Sequence, residues 1–448
     1  MKQNVTKNFF SIFIIILLTN LTLWSQTIPR TLYSINGSAQ TISKMNLETK
    51  EITQNILTTG EVPNRIISHN NMIYIVNSKP DNIMIIDPTD DSNIKETIAL
   101  TEGSNPWAMA FVSDTKAYVT NWLTDSVTII NVEEGAVIKS IAVGKAPEGI
   151  AVVGSKAYVV NTGYAGFGSP YEQSTVTIID TDADSIFASV NVPTNCQDLV
   201  LAPNGKLHVV CTGDYATEFG KIAVIDIESD TPIVVDTIDV GGSPGDLEIS
   251  SSGIGYCSSW GDGTNGHIYQ YDANADSVIR GSDNPILVGP NLSGLFWDEA
   301  ENSLWVPYMT EWGGDGFAQQ FSVNADSVVW TSGVLGNGTS TFAIVEEFVV
   351  SVENEESNSL VKQFNLSQNY PNPFNPTTTI SYQLPSSNLV TLRVYDVLGN
   401  EITTLVNANK SAGSHTVNFD GSNLSSGIYY IQFNSNGFRQ TRKMMLMK

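Results

Sequence analysis

Apolar residues in this chain occur in short alternating runs. Between residues 31 and 345, runs in which hydrophobic and polar side chains alternate are separated by clusters of Gly, Pro, Asn and Asp. A period of two is typical of half-buried β-strands, and the intervening residues are typical of turns. The pattern predicts an all-β protein.

The runs recur as a unit of four. In one copy, within residues 149–192, they read GIAVV, KAYVVN, TVTIID and IFASVNV. The third run of each unit ends in a residue whose side-chain oxygen can accept a hydrogen bond from the backbone two residues on, which begins a turn. Four strands per unit at a spacing of 41 to 50 residues predict the blades of a β-propeller. The turn positions are Asn46, Asp87, Asn131, Asp180, Asp226, Asp272 and Ser322.

The count of units gives seven blades over residues 26–350. The first unit begins at its second strand, LYSING at 32–37, and a matching first strand, TFAIV at 341–345, follows the last unit. We expect these two runs to pair, because that closes the ring without a long open edge. The run EFVVSVEN at 347–354 is left over; it extends an edge or begins a linker.

The unit resembles a known repeat. YVTN at 118–121, followed by DSVTIINVEEGAVIKSIAVGKAPEGIAV, is similar to the YVTN repeat of seven-bladed β-propellers. The resemblance is close over 117–152 and 157–180 and weaker over 255–345. It implies a surface or periplasmic binding or structural scaffold, and it implies no reaction.

Residues 366–448 differ in character from the repeat. Their alternating runs, VTLRVYDV, ITTLV, HTVNF and IYYIQF, predict a small Ig-like antiparallel β-sandwich. The motifs NYPNPFNPTTTI, VYDVLGNEI, LSSGIYYIQF and TRKMMLMK resemble the type A C-terminal sorting domain of the type IX secretion system. The residues that carry this resemblance include Tyr370, Pro371, Pro373, Phe374, Gly399, Gly427, Lys443 and Lys448.

The resemblance of the tail implies a destination and a partner. It implies Sec export, recognition by the outer-membrane type IX machinery, removal of the tail, and a passenger that is released or attached to the cell surface. A polar linker, 351–365, is expected to join the two domains. The alternative interpretation of 366–448 is an ordinary Ig-like binding module.

The N-terminus reads as a secretory signal peptide, 1–25. Lys2 and Lys7 precede the apolar run FFSIFIIILL, and small Ser25 is a plausible cleavage point. The alternative is an uncleaved anchor, and no membrane span is expected in the mature chain. The net charge of −24 excludes nucleic acid and anionic lipid as partners, because both require a basic surface.

Motifs for catalysis or metal binding are lacking in this sequence. The 4 histidines have no HxH or HExxH spacing, and nucleophile-elbow, Walker and dinucleotide motifs are missing. We therefore expect no catalytic residue, metal or cofactor. DTDADS at 180–185 suits either a calcium loop or a solvated turn; the turn is preferred, because the glycine and closing glutamate of an EF-hand are lacking. His208 is expected to be a packing residue.

The sequence has 3 cysteines, and two of them are close enough in the predicted hairpin to form a disulfide. A hairpin centred on PNGK at 203–206 sets Asp198 opposite Cys211, so Cys196 lies within about two residues of register with Cys211 and a disulfide is geometrically possible. Both a disulfide between Cys196 and Cys211 and two free thiols are consistent with this arrangement. Cys257 is expected to be a buried free thiol.

The long loops between second and third strands are expected to share one face with the blade-to-blade connections. The loops at 161–174, 211–220, 258–267 and 309–317 belong to consecutive blades. Their aromatic residues either bind a glycan, peptide or protein ligand or only cover the blade tops. An extracellular lyase or hydrolase that uses the acids of this face is the alternative function. The loop candidates are Trp122, Tyr164, Tyr171, Tyr215, Trp260 and Trp312, and the candidates beside the channel mouth are Glu148, Asp198 and Asp246, together with Arg65 and Trp107.

Overall fold

A computed structural model describes residues 30–228 and 231–346 of the chain, and 365–366, 369, 374–384, 388–396, 400–410, 413–435 and 438–446. The chain divides into two compact units, Met1–Val349 and Val350–Lys448. Several sequence predictions lie outside the described residues: the signal peptide 1–25, the run at 347–354, all of the linker 351–365 except its last residue, and the motif residues Tyr370, Pro371, Pro373, Gly399 and Lys448.

Seven antiparallel sheets, the blades, form the described part of the first unit; five of them have four strands and two have a fifth. Blade 1 contains β1 (Arg30–Asn36), β2 (Thr41–Asn46), β3 (Ile52–Thr58) and the last strand of the unit, β30 (Thr339–Glu346). Blade 2 contains β4 (Val62–His69), β5 (Met72–Lys79), β6 (Asn82–Ile86) and β7 (Ile94–Ala99), with a 3-10 turn at Pro88–Asp90. Blade 3 contains β8 (Pro106–Phe111), β9 (Lys116–Asn121), β10 (Ser126–Asn131) and β11 (Ala136–Ala142). Blade 4 contains β12 (Pro147–Val153), β13 (Lys156–Asn161), β14 (Thr175–Asp180) and β15 (Ser185–Asn191). Blade 5 contains β16 (Cys196–Leu201), β17 (Leu207–Cys211), β18 (Lys221–Asp226) and β19 (Ile233–Asp239). Blade 6 contains β20 (Pro244–Ile249), β21 (Ile254–Ser259), β22 (Gly266–Asp272) and β23 (Ser277–Arg280), and β24 (Ile286–Val288) also pairs with β22. Blade 7 contains β25 (Phe296–Asp298), β26 (Ser303–Met309), β27 (Asp315–Ser322) and β28 (Ser327–Thr331), and β29 (Gly336–Asn337) also pairs with β27.

The blades form a closed ring. The innermost strand of each blade contacts that of the next, in the order β4, β8, β12, β16, β20, β25 and β30, and β30 in turn contacts β4. Strand β30 pairs antiparallel with β1, with Leu32 opposite Ile344. The predicted closure of the ring by the run at 341–345 is therefore confirmed. It leaves the first and last strands of the ring hydrogen-bonded to each other.

Hydrophobic cores lie between neighbouring blades. In the described residues of the propeller, seven clusters each join side chains of two adjacent blades. Between blades 4 and 5, for example, Tyr158 and Val160 pack with Leu207 and Val209, all of them buried. Burying one large aliphatic side chain contributes about 1.5–3 kcal/mol. Because the blades are held by their side faces, the axis of the ring remains free for polar groups.

The turn residues of the repeat have the predicted role. The side-chain Oδ1 of Asn131 accepts a hydrogen bond from the backbone of Glu133 at 3.0 Å, and Asn46, Asp87, Asp180, Asp226 and Asp272 accept equivalent bonds. Ser322 accepts one from the residue three positions on. These bonds fix the turn between the third and fourth strands of each blade.

The asparagine of YVTN is a structural residue. Asn121 is 1% exposed, and its Nδ2 donates a hydrogen bond to Oγ1 of Thr128 on the next strand at 2.8 Å. Asn161 of blade 4 makes the same bond to Thr177 at 2.9 Å. In both blades a buried amide side chain is hydrogen-bonded to the neighbouring strand. The asparagine of the motif is therefore explained by its structural role within the blade.

The DTDADS segment joins two blades. Asp180 accepts a hydrogen bond from Nζ of Lys156 at 2.6 Å, and Asp184 is paired with Lys116 and Tyr118 of the preceding blade. Among the described residues, no group of His, Cys, Asp or Glu side chains has metal-binding geometry. These bonds match the preferred interpretation of this segment as a turn.

The predicted register of the blade 5 hairpin is wrong by one residue. The regular part of the hairpin pairs Asp198 with Val210, one residue from the predicted register, and a β-bulge at Gln197 then places Cys196 opposite Cys211. The sulfurs of Cys196 and Cys211 are 1.92 Å apart, within bonding distance. Cys257 is buried and unpaired, and burial raises the pKa of its thiol. A disulfide between Cys196 and Cys211 stays a prediction that chemistry can test.

His208 is a core residue, as expected. It is fully buried, and its ring stacks on Tyr271 with centroids 5.7 Å apart. Burial lowers the pKa of His208 to about 4, so the imidazole is neutral at physiological pH.

The second unit contains a β-sandwich. One sheet has the order β31-β32-β35 and the other β34-β33-β36-β37. The strands are β31 (Asn365–Leu366), β32 (Thr377–Leu384), β33 (Asn388–Tyr395), β34 (Glu401–Lys410), β35 (Gly413–Asp420), β36 (Gly427–Ser435) and β37 (Phe438–Leu446). Phe374 of the sorting motif is buried in the core and lies 5.8 Å from the ring of Phe419. Of the other motif residues, Gly427 begins β36 and Lys443 lies in β37.

Candidate functional site

Irregular pairing at the start of five innermost strands creates the mouth of the channel. The register of β4, β8, β12, β16 and β20 shifts within the first few residues of each strand. A bulge leaves residues unpaired and redirects their side chains. The residues within these bulges include Asn64, Trp107, Glu148, Gln197 and Asp246, and all five line one cavity of about 220 Å³.

Arg65 lies at the base of this upper cavity and also lines a lower one. The lower cavity, of about 300 Å³, is bounded by Arg65, Asp198 and Glu248, by Ser68 and Thr341, and otherwise by apolar residues. The Arg65 Nη2 atom lies 3.3 Å from Oδ2 of Asp198 and 3.2 Å from Oδ1 of Asp246. Asp198 was expected at the mouth; Gln197 occupies that position, because the bulge inserts one residue, and Asp198 lines the lower cavity.

Four carboxyl groups surround the single guanidinium of these two cavities. Burial raises the pKa of Glu148 to about 8 and raises that of Asp198, against the charge of Arg65. Burial opposes ionisation of Asp246 as well, but the charge of Arg65 and hydrogen bonds from neighbouring groups hold its pKa below the usual range. Burial, followed by the charges of Asp246 and Asp198, raises the pKa of Glu248 to about 8. One cation cannot compensate four ionised carboxylates, so some of them retain protons at neutral pH.

An arc of aromatic rings begins at the mouth. Trp107 stacks on Trp122 at 6.1 Å, Trp122 on Tyr164 at 5.1 Å, and Tyr164 lies 5.9 Å from Tyr171. The indole Nε1 of Trp122 donates a hydrogen bond to Oε1 of Glu148 at 3.2 Å. Trp122, Tyr164, Tyr171 and Glu148, which were predicted from separate parts of the sequence, therefore form one contiguous surface over blades 3 and 4.

The other predicted aromatics form a second group on blades 5 to 7. Tyr215 and Trp260 line a cavity of about 370 Å³, and the rings of Trp260 and Trp312 are 5.4 Å apart. Their exposed fractions are 61% for Tyr215, 67% for Trp260 and 69% for Trp312. Trp260 also lines the upper channel cavity, so the two groups meet there.

Sequence reasoning missed three polar residues of the site. Glu248 follows Asp246 by two positions, and the period of a strand places both on one side; this pattern could have found it. Asn64 and Gln197 each adjoin a predicted residue. They were missed because a bulge lets two neighbouring side chains both face the channel, whereas strict alternation would turn only one of them inward.

The C-terminal region matches a known family. Residues 368–447 match the family model described as the secretion system C-terminal sorting domain. This match supports the type IX sorting domain at the C-terminus. The domain indicates secretion or cell-surface localisation and implies the secretion machinery as a partner.

Solved structures share the propeller fold. A protein from Lactobacillus plantarum is 14% identical over 71% of this chain and 99% of its own, with a TM-score of 0.55. A quinoprotein alcohol dehydrogenase-like protein from Bacteroides thetaiotaomicron is 16% identical over 70% of this chain and 77% of its own, with a TM-score of 0.51. Hydrazine synthase from Kuenenia stuttgartiensis is 16% identical over 64% of this chain and 96% of its own, with a TM-score of 0.50. At such identities the similarity concerns the fold alone.

No curated protein matches this chain in sequence. Within the described ranges, no helix has the length and apolar character needed to cross a membrane.

Proposed function

We propose that this chain is a YVTN-type propeller, exported through a signal peptide, that binds an extracellular ligand at the mouth of its central channel. The C-terminal sorting domain delivers it to the cell surface or the medium. The buried asparagines of the YVTN-like strands, Asn121 and Asn161, support the repeat type, because each joins the second and third strands of its blade.

The contiguous surface beside the upper cavity carries this proposal. Trp107, Trp122 and Tyr164 stack in sequence and are only partly buried, and Glu148 is held at their edge by Trp122. Concave sites that combine aromatic walls with a few oriented polar groups are typical of ligand binding. The excess of carboxylates over Arg65 disfavours anionic ligands, which leaves a glycan, a peptide or a protein.

Binding at this surface can be tested with the mature protein. We expect saturable retention of the purified protein on cell-wall, glycan or peptide arrays without chemical change of the ligand. Replacement of Trp122 with alanine should weaken retention at least tenfold, because it removes the central ring of the stack and the hydrogen bond to Glu148. Phe167, fully exposed on the same face, provides a matched control as Phe167→Ala. Equal retention by wild type and Trp122→Ala would contradict the proposal.

An extracellular lyase or hydrolase is the second candidate, on one specific observation. Glu148 lines the upper cavity, and its pKa of about 8 lets it hold a proton at neutral pH, as a general acid must. An enzyme would show turnover that Glu148→Gln abolishes. A binding protein would show retention without turnover in both forms.

A further inference from the structure

The cavity between blades 5 and 6 adjoins the channel mouth and shares Gln197, Gly245 and Trp260 with it, but the two differ in their charged groups. It has a volume of about 370 Å³, within the roughly 300–1,000 Å³ of small-molecule sites. Its lining, which consists of described residues, contains no carboxylate, ammonium or guanidinium group. The lining residues are Gln197, Thr212, Tyr215, Gly242, Ser243, Gly245, Ser259, Trp260, Gly261 and Tyr269.

Two polar side chains of this lining have no partner among the described residues. The amide of Gln197 and the hydroxyl of Ser243 make no side-chain hydrogen bond there, and both are partly buried. By contrast, the hydroxyl of Thr212 donates to the carbonyl of Pro244 at 2.7 Å. A partly buried amide and hydroxyl are therefore available for a ligand, and they offer both donors and acceptors.

Tyr215 is held over the cavity in an unusual conformation. Its φ is 62°, a left-handed value that is rare for an aromatic residue. The carboxylate of Asp214 accepts hydrogen bonds from the backbones of Ala216, Thr217 and Glu218 at 2.9, 2.7 and 2.8 Å. These bonds fix the loop and present the Tyr215 ring to solvent. They also occupy one oxygen of Asp214, which gives this acid a structural role.

The close approach of the backbone to the cavity depends on a glycine. Gly242 has a φ of 58°, and a Cβ there would lie 2.0 Å from the hydroxyl of Tyr269. Any side chain at this position would displace Tyr269, a buried member of the cavity lining. The glycine therefore lets the backbone approach Tyr269 closely and preserves the shape of the cavity lining.

We propose that this cavity binds the ring of a neutral saccharide, a site that goes beyond the ligand surface proposed at the channel mouth. A neutral pyranose has apolar C–H faces, which stack on exposed aromatic rings such as Tyr215 and Trp260. Its hydroxyl groups exchange hydrogen bonds with amides and hydroxyls such as those of Gln197 and Ser243. It needs no charged partner, and the lining supplies none. Trp312, beside Trp260, extends the aromatic surface toward a second sugar unit.

The test is calorimetric titration of the mature full-length protein with neutral hexasaccharides of glucose, mannose and xylose. We expect at least one to bind saturably and to change tryptophan fluorescence. Trp260→Ala should weaken that binding at least tenfold. Tyr215→Asn should do the same, and it suits the backbone because asparagine tolerates a positive φ. Phe219→Ala removes an exposed ring of the same loop that does not line the cavity, and it should change affinity less than twofold.

Two outcomes would overturn the saccharide assignment. One is that none of the three hexasaccharides binds to folded protein. The other is that binding persists unchanged in both Trp260→Ala and Tyr215→Asn. If either occurs while Trp122→Ala still abolishes retention of another ligand, the saccharide assignment fails and binding at the mouth stands. If saccharide binding depends on Trp260 but not on Trp122, the cavity is a site in its own right, which supports the assignment.

Discussion

Replacement of Glu148 by glutamine should change how the stability of the propeller depends on pH. Glu148 is 9% exposed, and burial raises its pKa from 4.5 to about 8. A raised pKa means that the folded state prefers the protonated carboxyl. The stabilisation from that proton is fully present below the ordinary pKa of 4.5 and is lost as the pH rises through about 8. Glutamine stays neutral and avoids this loss.

The size of the effect follows from the pKa difference. One unit of pKa shift corresponds to about 1.36 kcal/mol. The rise in the pKa of Glu148 from 4.5 to about 8 therefore limits the loss of stability to at most about 5 kcal/mol. Glu148 borders a cavity of about 220 Å³, and access of solvent to its carboxyl would lower the cost of ionisation, so we expect a difference of at least about 2 kcal/mol. Relative to wild type, Glu148→Gln should therefore be more stable by this amount at pH 9 than at pH 5.

Urea unfolding at pH 5 and pH 9, followed by circular dichroism, measures this difference. Trp122 gives a second readout, because its indole donates to Glu148; its fluorescence should titrate with a midpoint near 8 in wild type and not in Glu148→Gln. Glu134→Gln, an exposed acid in a 3–4 turn, is the matched control and should leave the profile unchanged. Parallel pH profiles for wild type and Glu148→Gln would refute the reasoning.

Three further predictions concern ring closure, the cysteines and the tail. Arg30→Met should lower the free energy of unfolding by about 3–5 kcal/mol, because the buried carboxylate of Asp298, bonded to Arg30 at 2.6 and 3.1 Å, loses the guanidinium and keeps the neutral indole of Trp305 as a donor. Urea unfolding no different from wild type would contradict this. Mass spectrometry of unreduced peptides should recover Cys196 linked to Cys211. A variant with serine at both positions should have a free energy of unfolding about 3 kcal/mol lower, as expected for a loop with a sequence separation of 15. Free thiols at both positions in the exported protein would exclude the bond. Deletion of residues 366–448 should leave the protein in the periplasm, as fractionation and immunoblotting would reveal, and surface delivery of the truncated chain would rule out a sorting role.

The architecture could be predicted because its determinants are local. Alternation along each run defines a strand, and turn residues such as Asn131 define where it ends. Seven repetitions of that unit specify a propeller, and the position of 341–345 after the last unit specifies how it closes. The aromatic loops were also assigned to the correct face, because the antiparallel order of strands within a blade determines on which side each loop lies.

The details of the site could not be predicted in the same way. Whether Gln197 or Asp198 faces the mouth depends on one bulge, and the same bulge decides that Cys196 lies opposite Cys211. The alternation of apolar and polar residues predicts the register of a regular strand, but it does not reveal where a bulge inserts an extra residue. For this reason Asn64 and Gln197 lie directly beside the predicted residues Arg65 and Asp198.

The sequence by itself thus determined the repeat, the ring, the face that carries the long loops and the sorting domain at the C-terminus, because each depends on patterns within a few dozen residues. Only the tertiary structure decided which side chains meet. Arg65 of blade 2 pairs with Asp198 of blade 5 and Asp246 of blade 6, across more than 130 residues of sequence. The raised pKa values of Glu148 and Glu248 arise from burial around that shared axis. Such contacts exist only when separate blades are brought around one channel, and no local pattern encodes them.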